Sequence, residues 1–233
     1  PLLARHFWPD GASLDLFSDQ DQSFEAIKTL SGTRDAVAFQ KFSDRAARLF
    51  DAFEAPMMEA SAPRFMGLVG HVLRQPGVAL DVGGLSSLAG VLARTFHDPR
   101  LRQLFARYAT YVGGHPGLSP AVLQLIWHAE VRGVWRITGG MGKLAQALAD
   151  AAVFLGVDIR YDADVDRIAI QGGRAVGVAL CDGENIATDA VVFNGAPAAL
   201  ASGRLGPAAS YAVEDAGVAP RSLSARVWAF AGH

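Results

Sequence analysis

The stretch Val134-Trp-Arg-Ile-Thr-Gly-Gly-Met-Gly-Lys-Leu144 divides the chain into two parts with different sequence patterns. Upstream of it, apolar residues recur at helical spacing, whereas downstream short apolar runs alternate with glycine pairs. The stretch itself predicts a short strand over residues 134–137, a glycine-rich turn, and a helix over residues 144–155 that ends at Gly156. We therefore expect a mainly helical part followed by a part rich in strands.

The glycine-rich turn matches a dinucleotide-binding fingerprint. Gly140-x-Gly142-x-x-Ala145 lies between a predicted strand and a predicted helix, and Asp162 ends a second predicted strand about 20 residues further on, as the fingerprint requires. A pyrophosphate would then rest on the N-terminus of the helix. Because the preceding strand carries Trp135 where a buried aliphatic residue is expected, a plain glycine-rich helix start is the favoured alternative.

Downstream of this turn, short β runs follow one another. The pairs Gly172-Gly173 and Asp182-Gly183 favour tight connections, so consecutive runs should pair as an antiparallel β-meander. The predicted strands cover residues 157–161, 164–170, 175–181 and 190–194, and a last strand is predicted over residues 223–231.

Upstream, two helices have clear start signals. Asp98-Pro99 and Ser119-Pro120 each place a capping residue before a proline at the first helical position. They predict helices over residues 101–112 and 121–132, and the first of these should stop at Gly113.

The chain begins with a predicted hairpin over residues 4–17, in which Pro9-Asp10-Gly11 forms the turn. An isolated two-stranded hairpin is at best marginally stable and needs further strands to bury one face. We therefore expect the hairpin to share a sheet with residues 223–231.

Composition sets limits on the function. Hydrophobic residues make up 51% and charged residues 19% of the 233 residues, which suits a packed core rather than a disordered chain. A net charge of −2 provides no basic field for nucleic acid. The single cysteine, Cys181, excludes an intrachain disulfide and a thiolate metal cluster, and it fits a reducing compartment. The start carries neither Met nor a signal-peptide pattern, so we expect Pro1 to be a cut end.

An ordered set of motifs over residues 135–199 resembles the middle of flavin amine oxidases and phytoene-type carotenoid desaturases. Upstream, Phe96-His-Asp-Pro-Arg-Leu-Arg-Gln-Leu-Phe-Ala-Arg-Tyr-Ala-Thr-Tyr-Val-Gly-Gly114 is similar to the carotenoid desaturases, closest to their methoxyneurosporene (hydroxyneurosporene) dehydrogenase branch. The motifs of the set are Gly139-Gly-Met-x-x-Leu144, Gly156-Val-Asp-Ile-Arg160, Asp164-Val-Asp-Arg-Ile168, Gly172-Gly-Arg-Ala-Val-Gly177 and Asp189-Ala-Val-Val-Phe-Asn-Gly-Ala-Pro197.

The resemblance implies an α+β fold built from an internal fragment of such an enzyme. Residues 1–135 correspond to a mainly helical substrate-binding domain with a small antiparallel sheet. Residues 136–203 correspond to the middle of the FAD-binding domain, including the β-meander, and residues 204–233 to a return to the substrate-domain sheet. The family's phosphate-binding G-x-G-x-x-G segment and its second FAD segment are expected outside this chain.

The same resemblance implies an FAD-dependent oxidoreductase of carotenoid biosynthesis. It would introduce a C=C bond into an acyclic carotenoid and pass a hydride to the flavin. FAD is expected in the full-length enzyme and absent from residues 1–233 alone, which should be inactive. Two alternatives stay open, namely a flavin amine oxidase-like oxidoreductase and a substrate-binding module without activity.

Candidate site residues follow from the resemblance and from residue type. His128 and Glu130, on an otherwise apolar helix, are candidates for contacting a substrate hydroxyl or methoxy group, with a surface location as the alternative. No catalytic residue and no metal site are predicted. The resemblance assigns Gly139, Gly140, Val165, Asn194, Gly195 and Pro197 to cofactor binding. The alternatives are a plain helix start for the glycine pair, which is slightly favoured, a core valine in a strand for Val165, and an ordinary strand-to-helix turn for the last three. The aromatic residues Tyr108, Tyr111, Trp127 and Trp135 are candidates for a polyene tunnel or for ordinary core packing.

A carotenoid substrate dissolves in bilayers, so contact with the membrane surface is expected. No apolar run approaches the roughly 20 residues that span a bilayer. Residues 64–74 carry a broad apolar face between Arg64 and Arg74, whose cationic groups could reach lipid headgroups. We therefore expect a cytoplasmic, peripherally membrane-associated protein, with a buried core helix as the alternative for this segment.

Overall fold

A computed structural model describes residues 1–61, 65–84, 86–213, 223 and 227. The chain separates into two compact units, and the division lies between Trp135 and Arg136. The predicted strand over residues 223–231, and with it the predicted pairing with the hairpin, falls almost wholly outside the described residues.

The first unit opens with the predicted hairpin, which is confirmed. Strands β1 (Leu2–Phe7) and β2 (Ser13–Phe17) pair antiparallel. Gly11 adopts a φ of +83° in the turn, a conformation that glycine reaches without steric cost. Alternate residues of β2, Leu14 and Leu16, are buried and fix the face of the hairpin that joins the core.

Helices form the rest of the first unit. The predicted helices after Asp98 and Ser119 are confirmed in position, but each contains a 3-10 turn, Arg107–Val112 at the end of the first and Ala121–Leu125 at the start of the second. Gly113, with a φ of +63°, ends the first one as predicted. The helices are α1 (Gln20–Ser31), α2 (Thr33–Phe53), α3 (Phe65–Leu73), α4 (Pro76–Asp81), α5 (Leu88–Thr95), α6 (Pro99–Ala106) and α7 (Ile126–Val131).

The core of this unit is aromatic. Phe42 on α2 and Phe105 on α6 have ring centroids 4.7 Å apart, and Phe39 meets Trp127 of α7 edge-on at 5.3 Å. Trp127 is fully buried, and its Nε1 donates a hydrogen bond to Ser43 Oγ at 2.7 Å. The polar atom of this large side chain is therefore satisfied inside the core.

Asp35 connects the start of α2 to the junction between α5 and α6. Its buried carboxylate accepts the backbone N–H groups of His97 at 2.7 Å and Asp98 at 2.8 Å. Asp98 in turn accepts the N–H of Arg100 and caps α6. These bonds set the direction in which α6 leaves α5.

The described residues of the second unit contain a three-stranded antiparallel meander, as predicted, two α-helices and a 3-10 helix, Pro207–Ala212. The strands pair in the order β3 (Val165–Gln171), β4 (Arg174–Leu180) and β5 (Asn185–Ala187). Helix α8 (Met141–Phe154) precedes them and α9 (Pro197–Ala201) follows. The backbone N–H of Ile168 donates to Leu205 O, so the chain after α9 still packs on β3. The expected return to the first unit stays a prediction for residues beyond 213.

Three predicted strands are wrong. Residues 134–137, 157–161 and 190–194 are not in strands, and the third strand of the meander is Asn185–Ala187 instead. A strand exists only where a neighbour takes up its backbone N–H and C=O groups, and no such neighbour lies beside these runs among the described residues. The α+β class is confirmed, with a helical majority and two small antiparallel sheets.

Candidate functional site

A polar cluster in the first unit centres on Glu130 of α7. Its carboxylate accepts hydrogen bonds from Arg107 Nη1 and Nη2, both at 2.7 Å, and from the phenols of Tyr108 and Tyr111, both at 2.9 Å. The 3-10 turn after α6 carries these three donors. Because residues three apart eclipse in such a turn, Tyr108 and Tyr111 reach the same carboxylate.

Burial and charge fix the protonation state of this cluster. Burial opposes ionisation of Glu130, but the hydrogen bonds and charge of Arg107 outweigh it and hold the pKa of Glu130 below its usual value. Burial, and next the charge of Glu130, raise the pKa of Tyr108 well above that of a free phenol. Burial and the hydrogen bond to Glu130 raise the pKa of Tyr111 as well. At neutral pH the cluster is therefore an ion pair with two neutral phenol donors.

A cavity of about 300 Å³ lies beside this cluster, and we call it the His6 pocket. Two polar atoms next to it, His6 Nε2 and Arg107 Nε, are buried and have no hydrogen-bond partner among the described residues. Burial, followed by the charge of Arg107, lowers the pKa of His6, which keeps the imidazole neutral near pH 7. The pocket is lined by Leu3, Ala4, His6, Arg107, Tyr111, Glu130 and Val134.

The four candidate tunnel residues occupy different environments. Tyr108 is fully buried behind the cluster, whereas Tyr111, 61% exposed, lines the His6 pocket, and their ring centroids are 6.2 Å apart. Trp127 packs in the aromatic core, as expected if its role is core packing rather than lining a tunnel. Trp135 is 81% exposed and lies against the backbone of Gly133. The structure thus brings Tyr108 and Tyr111 together and places the two tryptophans elsewhere.

The six candidate cofactor residues lie in three segments of the second unit. Gly139 and Gly140 adopt φ values of +83° and +89° just before α8, Val165 opens β3, and Asn194-Gly195 precede Pro197 at the start of α9. All six are exposed. Among the described residues no hydrogen bond joins one of these segments to another, so their assignment to a cofactor stays a prediction.

Sequence reasoning found part of the polar cluster. It singled out Glu130, Tyr108 and Tyr111, but it missed Arg107 and His6. The helical spacing of residues 101–112 gave no sign that Arg107 turns inward, and the alternation of residues along β1 did not single out His6. His128, considered together with Glu130, packs its ring on Phe50 at 5.2 Å and has no part in the cluster.

Other kinds of site find no support in the part of the chain that the structure describes. No group of three or more His, Cys, Asp or Glu side chains there could hold a metal ion. Among the helices described, none combines the length and the apolar character needed to cross a membrane.

Comparison with known proteins gives a consistent set of matches. Residues 78–220 match the family model described as flavin containing amine oxidoreductase. The chain is 51% identical to a hydroxyneurosporene desaturase of Cereibacter sphaeroides and 45% identical to one of Rhodobacter capsulatus, in both cases over 99% of this chain and 47% of the relative. It is 30% identical to a lycopene-forming phytoene desaturase of Paracoccus over 82% of this chain and 37% of that relative. The chain spans about half the length of these two hydroxyneurosporene desaturases.

Proposed function

The chain belongs to the flavin-containing amine oxidoreductase family, and we propose that it forms part of an FAD-dependent desaturase that introduces a C=C bond into an acyclic carotenoid. The observation that carries this proposal is the identity of 43–51% to three hydroxyneurosporene desaturases over nearly the whole chain. That match includes the helices that hold the Glu130 cluster, which lie in the first unit and outside the strands of the second. The general family model, over residues 78–220, also covers these helices, so it is the identity to the desaturases that favours this proposal over a general flavin oxidase.

The second unit supplies residues that suit contact with FAD. Backbone with positive φ at Gly139 and Gly140 leads directly into the N-terminus of α8, and a Cβ atom at Gly140 would meet only open space. At Gly195 a Cβ atom would meet the ring of Phe193, which would have to move to make room for it. Gly139, Gly140, Val165, Asn194, Gly195 and Pro197 are the residues we propose to hold the cofactor. FAD, when bound, supplies the hydride acceptor for the desaturation.

The first unit supplies residues for the substrate. A carotenoid is a long apolar chain, and a site for it needs apolar walls with a few polar groups that fix its orientation. Tyr111 is exposed beside the His6 pocket and can pack its ring along a polyene, while its hydroxyl group stays bonded to Glu130. Tyr108 supports it from behind.

We propose that α3 rests on the membrane surface from which the substrate is taken. Leu68 and Val72 on one side of α3 pack against a buried cluster that includes Phe53, whereas Met66 and Leu73 are 75% and 73% exposed. The helix thus has one face in the core and another available to lipid. It therefore has features of both alternatives, a membrane-contacting segment and a buried core helix. Arg64, expected to reach lipid headgroups, lies outside the described residues. A location at the cytoplasmic face of the membrane is part of this proposal.

Cationic side chains near α4 support the same orientation. An open groove of about 740 Å³ between α2, α4 and α5 is lined by the exposed Leu80 and by four cationic residues. None of its other lining residues is acidic, and of the four cations only Arg45 has an acidic partner among the described residues, Asp81 at 3.7 Å. Such a surface attracts anionic lipid headgroups. The four cationic residues are Arg34, Lys41, Arg45 and Arg94.

Product analysis tests the desaturase proposal. The full-length protein, loaded with FAD, is incubated with a hydroxylated acyclic carotenoid in vesicles. We expect a product that has lost two hydrogens and absorbs at longer wavelength, because its conjugation is extended. An unchanged carotenoid, together with oxidation of simple primary amines, would support the amine oxidase alternative instead.

A further inference from the structure

The His6 pocket combines apolar and polar walls. Leu3, Ala4 and Val134 provide aliphatic surface, and Arg107 and Tyr111 stand among the polar groups. All of these residues belong to the first unit, and the cavity is about 300 Å³. A pocket of this size takes the end of a long ligand rather than the whole of it.

Among the described residues, some hydrogen-bonding groups around the pocket have no partner. Both Nη atoms of Arg107 and both phenols are committed to Glu130, so the carboxylate needs no further donor. The N–H of Arg107 Nε is a donor without a partner among the described residues, and His6 Nε2 is likewise unpaired there. Tyr111 is 61% exposed, and its oxygen, which donates to Glu130, can still accept a hydrogen bond.

Charge balance indicates a neutral ligand. The positive charge of Arg107 is compensated by Glu130, and His6 is held neutral because burial lowers its pKa. An anion would have to compete with Glu130 for the guanidinium, and a cation would meet that guanidinium directly. The pocket can therefore form one or two hydrogen bonds to a neutral oxygen atom of a ligand that is otherwise apolar.

We infer that the His6 pocket binds the oxygen-bearing end group of an acyclic carotenoid, a hydroxyl or methoxy group, with Arg107, His6 and Tyr111 as its hydrogen-bonding partners. This inference rests on the proposed function, because it assumes that a carotenoid enters the first unit. A hydroxyl group can donate to His6 Nε2 or Tyr111 and accept from Arg107, whereas a methoxy group can only accept. Arg107, His6 and Tyr111 would thus determine which acyclic carotenoids are used and which end of them is held here.

The expected size of the effect follows from the cost of leaving such groups unpaired. A substrate without the oxygen leaves buried polar atoms without partners, and one hydrogen bond corresponds to roughly a tenfold preference. We therefore expect the ratio of kcat/KM for a hydroxylated acyclic carotenoid to that for the same polyene without the hydroxyl group to be about tenfold or more. His6→Phe and Tyr111→Phe should each reduce this ratio several-fold.

The test measures that ratio in the full-length, FAD-loaded protein and in three variants. Tyr211→Phe is the matched control, because Tyr211 is 91% exposed in the second unit and the same hydroxyl group is removed there. Its ratio should equal that of the wild type. Dissociation constants of both carotenoids, from quenching of tryptophan fluorescence in protein without FAD, provide a second readout that does not depend on turnover.

The outcomes separate this inference from the proposed function. If the wild type desaturates neither carotenoid, the proposed function fails. If it desaturates them and neither His6→Phe nor Tyr111→Phe changes the ratio of kcat/KM or of dissociation constants, the end group is held elsewhere and the inference is overturned. Should His6→Phe fold poorly, Tyr111→Phe decides alone, since its side chain is mostly exposed and its ring is kept.

Discussion

Glu130 holds together groups from two elements of the first unit, so its charge should matter for stability. In Glu130→Gln the guanidinium of Arg107 loses its counter-ion in a site where both side chains are largely buried, with 16% and 30% of their surface exposed. We expect the free energy of unfolding to fall by about 2 kcal/mol, measured by urea denaturation. Asp15→Asn is the matched control, because Asp15 makes a similarly close pair with Arg5 whose side chain is 56% exposed. That change should cost clearly less, because an exposed ion pair is screened by water, and equal losses in the two variants would contradict this expectation.

The lowered pKa of His6 should make the free energy of unfolding depend on pH. Burial lowers the pKa of His6 in the folded protein below 6.5, so the unfolded chain binds this proton more readily than the folded one. Stability is therefore fully present above the unfolded pKa of about 6.5 and declines as the pH falls from there towards the folded pKa. Unfolding measured between about pH 7.5 and pH 5.5 should show this decline in the wild type and a weaker one in His6→Phe. Identical slopes would mean that the imidazole titrates as freely in the fold as in the unfolded chain.

At the scale of elements, Asp35 is the residue that joins α2 to the turn between α5 and α6. Asp35→Ala removes the acceptor for two backbone N–H groups, one of them fully buried. We expect a loss of about 3 kcal/mol in the free energy of unfolding, since hydrogen bonds to a charged acceptor are worth about 1.5–3 kcal/mol each. Asp44→Ala, at an exposed position of the same helix, should change stability by less than about 0.5 kcal/mol. If Asp35→Ala lowers the free energy of unfolding no more than Asp44→Ala does, the two backbone N–H groups form hydrogen bonds to water in the variant, and the proposed role of Asp35 is wrong.

The secondary-structure elements whose ends are marked by turn, capping or glycine signals in the sequence were predicted correctly. The Asp-Gly turn, the Asp98-Pro99 and Ser119-Pro120 starts and the glycine stops each carry their own signal, and the hairpin, α6 and α7 are where they were expected. Residues 157–161 and 190–194 look like strands, but a strand needs a partner, and a residue pattern does not show whether one is present. The same limit applies to the His6 pocket, because β1, the 3-10 turn after α6, and α7 contribute to it from distant parts of the sequence.

For the whole molecule, the proposed membrane contact makes a prediction about α3. Met66→Asp combined with Leu73→Asp should lower partitioning onto vesicles with anionic lipid about tenfold or more, because two exposed apolar side chains no longer enter the interface. Sedimentation with vesicles measures this, and the thermal unfolding midpoint should stay close to that of the wild type. Leu118→Asp, at a position 88% exposed elsewhere in the first unit, is the control and should leave partitioning unchanged. Partitioning that the double change leaves intact would place the membrane contact on another surface.

The central claim is that this family member removes hydrogen from a carotenoid and passes it to FAD, and an anaerobic mixing experiment tests it most directly. Full-length, FAD-loaded protein is mixed with a hydroxylated acyclic carotenoid in the absence of oxygen and of any other electron acceptor. We expect the absorbance of oxidised flavin to be lost in step with formation of the longer polyene, with one flavin reduced for each C=C bond formed. Flavin that stays oxidised in the presence of the carotenoid but is reduced by a primary amine would contradict it.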